Sequence, residues 1–144
     1  MLQVVGAVIV DKDFIIMGKR ASTSKHFPNL YEFPGGKVEK DETLKEALKR
    51  ELFEELNMQV DVENIYEFAG NESSHATEKG DRIINLTLFI INSWGDAAND
   101  KKFGAKKNIH SEIKYMHKNN LNYYKDSMIP GDSVFIKAIQ TALN

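Results

Sequence analysis

Cysteine is absent from the 144 residues of this chain. Its absence excludes disulfides, thiolate zinc sites and a cysteine nucleophile, and it fits a reducing compartment, so we expect a cytoplasmic protein. No apolar run approaches the roughly 20 residues of a membrane-spanning helix, and no basic segment followed by an apolar run marks a signal peptide. The formal net charge is only −2, which gives no general attraction to nucleic acid or membranes. We therefore expect one domain over residues 1–144 with no membrane partner.

The most informative stretch is residues 35–58, which reads as a glycine pair, a short charged loop and one helix. Apolar residues recur there at steps of three and four, as in a helix that packs on a core: Leu44, Ala47, Leu48, Leu52 and Leu56. Asp41, Glu42 and Thr43 lie just ahead of this stripe, where acidic and hydroxyl side chains can accept hydrogen bonds from the first free amides of a helix.

Three carboxylates continue the apolar row instead of lying opposite to it. Glu54 and Glu55 follow Glu51 by three and four residues, so the three side chains share one side of the helix. Such a cluster is costly unless a cation compensates it, and oxygen ligands suit hard cations such as Mg²⁺ or Mn²⁺. From the residues alone, an acidic face with intrahelical ion pairs to Arg50 remains open as the alternative.

Residues 36–58 resemble the Nudix box (G-x5-E-x7-R-E-U-x-E-E-x-G-U, where U is aliphatic). Every fixed position matches except the last glycine, where Asn57 stands; Asn is the next best residue for a left-handed backbone. The preceding YEFPGG run, residues 31–36, is similar to the (W/L)EFPGG lead-in of the MutT-type branch, which hydrolyses nucleoside triphosphates. Within that branch the chain looks most like the CTP pyrophosphohydrolase and 8-oxo-dGTP diphosphatase subgroup.

This resemblance implies an α/β fold, the Nudix α/β/α sandwich, with a mixed sheet between the box helix and a C-terminal helix. It also implies Mg²⁺-dependent hydrolysis, with Mn²⁺ as an alternative ion, of a nucleoside triphosphate to the monophosphate and pyrophosphate. The metal ligands carried over are the carbonyl of Gly35 and the carboxylates of Glu51, Glu54, Glu55 and Glu112. The four glutamates are also the expected catalytic residues, with Glu51 or Glu112 as general base. Glu42 and Arg50 are expected to be structural, with Arg50 orienting the carboxylates.

The expected substrate-binding residues are Arg20, Phe33, Lys37 and Asp132. The family places a phosphate-contacting arginine at the position of Arg20. In the MutT-type branch the side chain at the position of Asp132 reads the edge of the base, and an ionised aspartate only accepts hydrogen bonds, which suits an exocyclic amine such as that of cytosine. Capping of the last helix by Asp132 or Ser133 is an equally good interpretation, and the two roles can coexist.

Outside the box, the pattern predicts strands at 2–10, 14–19, 60–69, 82–92 and 109–117, a loop at 70–81, a helical turn at 119–125 and a closing helix at 133–143. The lysine-rich segment 100–126 is either a solvated loop or a field that attracts an anionic substrate. We expect a small nucleotide substrate and no stable nucleic-acid partner, and a homodimer is left open. A hydrolase of another diphosphate, such as capped RNA, and a nucleotide-binding domain without activity are the alternative functions.

Overall fold

The computed structural model describes residues 1–77, 80–96, 104 and 109–144. Its strands are β1 (Leu2–Asp11), β2 (Phe14–Arg20), β3 (Tyr31–Glu32), β4 (Gly35–Lys37), β5 (Met58–Gln59), β6 (Tyr66–Thr77), β7 (Gly80–Ile91), β8 (Gly95–Asp96) and β9 (His110–His117). Its α-helices are α1 (Leu44–Leu56), α2 (Pro130–Ser133) and α3 (Ile136–Leu143), and short 3₁₀ helices cover Val62–Asn64 and Lys118–Ser127. None of the helices in these described ranges is long and apolar enough to cross a membrane.

The chain forms two compact units, and the first comprises Met1–Val8 and Pro34–Phe103. In this unit β7 lies between β1 and β6. On β1, Gly6 pairs with Gly35 of β4, and the two backbones approach so closely that a Cβ at Gly35 would lie 2.0 Å from the carbonyl oxygen of Val5. This close approach fixes the backbone immediately before the start of the box at Gly36.

The predicted loop at 70–81 is wrong, because β6 continues to Thr77. Its ladder with β7 runs from Tyr66↔Ile90 to Thr77↔Gly80, with a bulge between Glu67 and Ala69. The polar composition of this segment suggested a loop, but ladder hydrogen bonds are made by the backbone and tolerate polar side chains. The predicted strand at 60–69 is also partly wrong, since Val62–Asn64 forms a 3₁₀ turn before β6 begins.

Helix α1 is formed as the sequence predicts. Thr43 caps it, accepting a hydrogen bond from the amide of Glu46, whose side chain in turn accepts from the amide of Thr43. Asn57 ends the helix in the left-handed conformation, with φ of 54°. The apolar stripe is fully buried from Ala47 to Leu56. Both ends and one face of the helix are therefore fixed, which holds its acidic side chains in place.

The second unit comprises Ile9–Phe33 and Gly104–Asn144. Here β2 pairs with the end of β1, with β3 and with β9, and the register on β9 shifts between Lys19 and Arg20. The predicted helical turn is present as the 3₁₀ helix Lys118–Ser127. Four of the lysines in the predicted basic segment, Lys101, Lys102, Lys106 and Lys107, lie outside the described residues, so the role of that segment stays a prediction.

The closing helix differs from the prediction of one helix over 133–143. It is divided into α2 and α3, and the residue that precedes α3 is Phe135, which makes no capping bond through its side chain. The capping role of Asp132 and Ser133 is wrong: Asp132 lies inside α2 and its carboxylate accepts a hydrogen bond from the amide of Phe33 instead. A partner 99 residues away thus decides the role of this side chain.

Candidate active site

In the first unit, Arg50 joins the carboxylates of the box. Its Nε and Nη2 donate to Glu42 at 2.8 Å each, and its Nη1 donates to Glu51 at 2.9 Å and to Glu54 at 3.2 Å. Its Nη2 also donates to the carbonyl oxygen of Lys37 at 3.0 Å. The bonds from Arg50, with the amide of Glu39, lower the pKa of Glu42 to about 2. The guanidinium therefore holds three carboxylates in fixed directions, and only the bond to Glu54 is the ordinary i,i+4 pair of a helix surface.

The carboxyl group of Glu51 occupies a recess that is open because Gly36 has no side chain. A Cβ at Gly36 would lie 2.6 to 2.7 Å from the carboxyl carbon and both carboxylate oxygens of Glu51. Burial raises the pKa of Glu51, and the bond from Arg50 opposes that rise. Because burial removes water from the Glu51 carboxylate, its charged form would be stabilised by a further cation besides Arg50.

Glu55 connects the end of α1 to the glycine pair. It is only 5% exposed, and its carboxylate accepts a hydrogen bond of 2.9 Å from the amide of Gly35. Glu54, one residue earlier, has a side chain that is 52% exposed. The unit thus carries one solvent-facing and two sheltered carboxylates on one helix, next to the backbone of Gly35.

The donor chemistry of this group fits a hard divalent cation. The predicted ligands are oxygen atoms only: the carboxylates of Glu51, Glu54 and Glu55 and the carbonyl of Gly35. The carboxyl group of Glu51 lies where a side chain at Gly36 would be, next in sequence to Gly35. These residues could hold Mg²⁺ or Mn²⁺, with Arg50 as the neighbour that orients two of the ligands.

In the second unit, Glu112 is bonded to Tyr31. The hydroxyl of Tyr31 donates to the carboxylate of Glu112 at 2.7 Å, and burial together with this contact raises the pKa of Tyr31 to about 12. Lys19 pairs with Tyr31 on one side and Glu112 on the other, so the three side chains share one face of β2 and its neighbours. The role of Glu112 as a metal ligand or general base stays a prediction.

Arg20 belongs to a second hydrogen-bonded group in this unit. Its Nη1 donates to Glu32 at 3.0 Å, and its Nε donates to the carbonyl oxygen of His26 at 2.9 Å. The other carboxylate oxygen of Glu32 lies 2.8 Å from Nε2 of the fully buried His110. Arg20, the predicted phosphate contact, is therefore held by the carboxylate of Glu32, which also binds His110.

Phe33 and Asp132, both predicted to bind substrate, are brought together by the bond between the Phe33 amide and the Asp132 carboxylate, at 2.9 Å. Asp132 is 5% exposed, and burial raises its pKa to about 8 against the opposing effect of the Phe33 amide. Lys37 is exposed, and its contact with Arg50 is made through its carbonyl oxygen. What Phe33, Lys37 and Asp132 do toward a substrate stays a prediction.

Sequence reasoning missed Tyr31, Glu32 and His110, although all three make contacts with predicted site residues or with one another. Tyr31 and Glu32 carried a usable signal, because both belong to the YEFPGG run that leads into the box. His110 carried none, since its position opposite Arg20 depends on the register shift between β2 and β9.

Comparison with known proteins gives one consistent result. The family model of the NUDIX domain matches residues 2–138. An 8-oxo-dGTP diphosphatase of Proteus vulgaris is 31% identical over 101 residues, which are 70% of this chain and 85% of that protein. A CTP pyrophosphohydrolase of Escherichia coli is 40% identical over 91 residues, which are 63% of this chain and 62% of that protein.

Solved structures agree with the fold described above. The solution structure of the E. coli ORF135 protein has a TM-score of 0.75 at 27% identity, covering 98% of this chain and 89% of that one. A MutT protein from Bacillus halodurans has a TM-score of 0.73 at 18% identity, and the match covers 97% of this chain and 82% of that one. The α/β fold class with a mixed sheet, predicted from the sequence, is confirmed.

Proposed function

This chain belongs to the NUDIX family, and on that premise we propose that it hydrolyses a nucleoside triphosphate to the monophosphate and pyrophosphate. The proposed substrates are cytosine nucleotides and oxidised or modified (d)NTPs. Two of the relatives that the chain matches are named for 8-oxo-dGTP and for CTP, which supports this choice. The corresponding cellular role is the removal of such nucleotides from the nucleotide pool of the cytoplasm. We propose that residues 1–144 carry out this role as one domain.

The observation that carries the proposal is the arrangement of the box carboxylates. A solvated acidic helix face with ion pairs to Arg50 needs no recess for one of its carboxylates. Here Glu51 occupies the space that a side chain at Gly36 would fill, and Arg50 binds Glu42, Glu51 and Glu54 together. Such fixed directions are what a metal site requires, because the ligands must be in place before the ion binds.

Enzymes of this family use a divalent metal, and we propose Mg²⁺, held by Glu51, Glu54, Glu55 and the carbonyl of Gly35, with Glu112 as a further ligand. Bound there, the ion polarises phosphoryl oxygens and lowers the pKa of water. Glu51 or Glu112 takes the proton from the water that attacks the phosphorus, and Arg20 binds a phosphate oxygen.

Asp132 is the proposed contact with the base. Its pKa of about 8 means that near neutral pH the carboxyl exists largely with its proton. In that form it can donate one hydrogen bond and accept others, whereas the ionised form only accepts. Asp132 can therefore pair with an amine edge or with a carbonyl edge, so cytosine and oxidised guanine are both candidate bases.

The test is pyrophosphate release with Mg²⁺ from a panel of CTP, dCTP, 5-methyl-dCTP, 8-oxo-dGTP, the ordinary dNTPs and a capped RNA. Release from cytosine nucleotides or 8-oxo-dGTP, absent in EDTA, supports the proposal, and the panel identifies the preferred base. Activity on capped RNA alone would replace it with hydrolysis of another diphosphate. Tight binding of nucleotides without release would show a binding domain instead of an enzyme.

A further inference from the structure

His110, Glu32 and Arg20 form a continuous hydrogen-bonded row in the second unit. Glu32 binds each neighbour with a different oxygen, His110 at 2.8 Å and Arg20 at 3.0 Å. Exposure increases along the row, because the side chain of His110 is 0% exposed, that of Glu32 14% and that of Arg20 27%. The row therefore runs from the interior to a guanidinium that solvent can reach.

The backbone of β2 is arranged to admit this row. Gly18 pairs with Glu32, and a Cβ at Gly18 would lie 2.7 to 2.8 Å from three atoms of the His110 ring. The register shift between Lys19 and Arg20 leaves Ser111 out of the ladder and places His110 opposite Arg20. A glycine inside a strand and a bulge both weaken a sheet, so their presence together needs a compensating role.

The guanidinium of Arg20 is fixed at two of its three nitrogens. Nη1 donates to Glu32 and Nε donates to the carbonyl oxygen of His26, while the backbone of Arg20 bonds to Leu30 and Asn29. Within the described part of the chain, no hydrogen-bond partner is found for Nη2. A planar guanidinium with two anchored nitrogens has one orientation, so the direction of its third nitrogen is set in advance.

We propose that Glu32 and His110 are positioning residues that hold Arg20 so that its Nη2 meets a phosphate group of the substrate. This inference rests on the proposed function, in which Arg20 is the phosphate contact. His110 fixes the Glu32 carboxylate, Glu32 fixes the guanidinium, and neither of them touches the substrate. Because the row acts through Arg20, its loss weakens phosphate binding and leaves the chemical step intact.

The experiment measures the affinity for inorganic pyrophosphate by calorimetry with excess Mg²⁺, which needs no turnover and no knowledge of the base. The variants are Glu32→Gln, which removes the charge at constant length, and His110→Phe, which keeps a ring over Gly18 without Nε2. The control is Asp13→Asn, which removes an exposed carboxylate paired with Lys118 at 3.5 Å in the same unit. Thermal unfolding shows whether each variant folds. If His110→Phe does not fold, the affinity of Glu32→Gln alone tests the inference.

We expect Kd for pyrophosphate to rise about tenfold in Glu32→Gln and His110→Phe, as for the loss of one charge-assisted hydrogen bond, and to be unchanged in Asp13→Asn. On any nucleotide that is hydrolysed, KM should rise with kcat nearly constant, and Glu32→Asp should recover part of the loss. In an Arg20→Ala background, Glu32→Gln should change Kd by less than about twofold, because the two residues act as one unit.

Wild-type affinity in Glu32→Gln overturns the inference, and so does a full additional loss in the Arg20→Ala background. Failure of the unmodified protein to bind pyrophosphate overturns it as well. If the protein binds pyrophosphate but hydrolyses no nucleotide, the proposed function fails, whereas the comparison between the variants still decides the role of the row.

Discussion

Replacement of Gly36 by alanine tests the recess that holds Glu51. The added Cβ would lie 2.6 Å from the nearest Glu51 atom, whereas ordinary contact begins at 3.4 Å, so the carboxylate must move by about 0.8 Å. A displacement of about 1 Å in a reacting group can cost roughly 10²-fold in rate. We therefore expect kcat for Mg²⁺-dependent pyrophosphate release to fall by about two orders of magnitude in Gly36→Ala.

The same substitution should change stability little. The atoms that the Cβ meets belong to the end of a flexible side chain, and among the described glycines only Gly35 has a positive φ, so Gly36 has a backbone that alanine adopts easily. The free energy of unfolding should fall by less than about 1 kcal/mol, below the usual cost of overpacking a core.

Gly95→Ala is the matched control, since it lies in the same unit and a Cβ there meets no atom within 4 Å. It should keep both the activity and the stability of the parent protein. Gly36→Ala with unchanged kcat and unchanged Mg²⁺ dependence would refute the reasoning, because Glu51 would then have no need of its recess. Unfolding of Gly36→Ala would refute it in another way, by showing that the glycine serves the fold.

Three further predictions concern Asp132, Glu42 and Tyr31. Burial raises the pKa of Asp132 from 3.8 to about 8, so between these two pH values the native state holds one proton more than the unfolded state. The free energy of unfolding should therefore fall as pH rises through this window. Asp132→Asn should remove this pH dependence in thermal unfolding. Glu42 has a pKa of about 2 because Arg50 binds it, so its contribution is present above pH 4.5 and lost toward pH 2; Glu42→Gln should flatten this acid limb, and an unchanged limb would contradict the contact. Tyr31→Phe should cost about 1 kcal/mol in urea unfolding through the lost bond to Glu112, and no loss would show that the bond contributes nothing.

The box could be predicted from the sequence because its determinants are local. The cap, the apolar stripe and the left-handed Asn57 all depend on residues within or next to one helix. The stripe and Asn57 are found where the spacing places them, and the cap is Thr43, one of the three residues expected ahead of the helix. The cluster on α1 was likewise visible as a departure from amphipathic order, since Glu51 continues the apolar row. The spacing could not show that the Glu51 carboxyl occupies the space beside Gly36, because that contact joins β4 to helix α1.

The errors lie where distant partners decide. The segment from Gly70 to Thr77 is polar and pairs as a strand only because β7 offers a ladder. Asp132 precedes an apolar helical pattern and so resembles a cap, yet the amide of Phe33 binds it. His110 is placed by a one-residue register shift, which no periodicity predicts. In each case the local preference is weak and a contact between distant segments overrides it.

The most direct test of the metal site is the comparison of Glu54→Gln with the parent protein in Mg²⁺-dependent pyrophosphate release. The amide oxygen of glutamine can still accept the bond from Arg50, so the fold is kept, but it lacks the charge that binds Mg²⁺. Glu67→Gln, at an exposed position on β6, serves as the control. We predict that Glu54→Gln loses metal-dependent turnover and that Glu67→Gln keeps it. Thermal unfolding of Glu54→Gln should be the same as that of the parent protein. Turnover equal to that of the parent protein would contradict the assignment of the metal site.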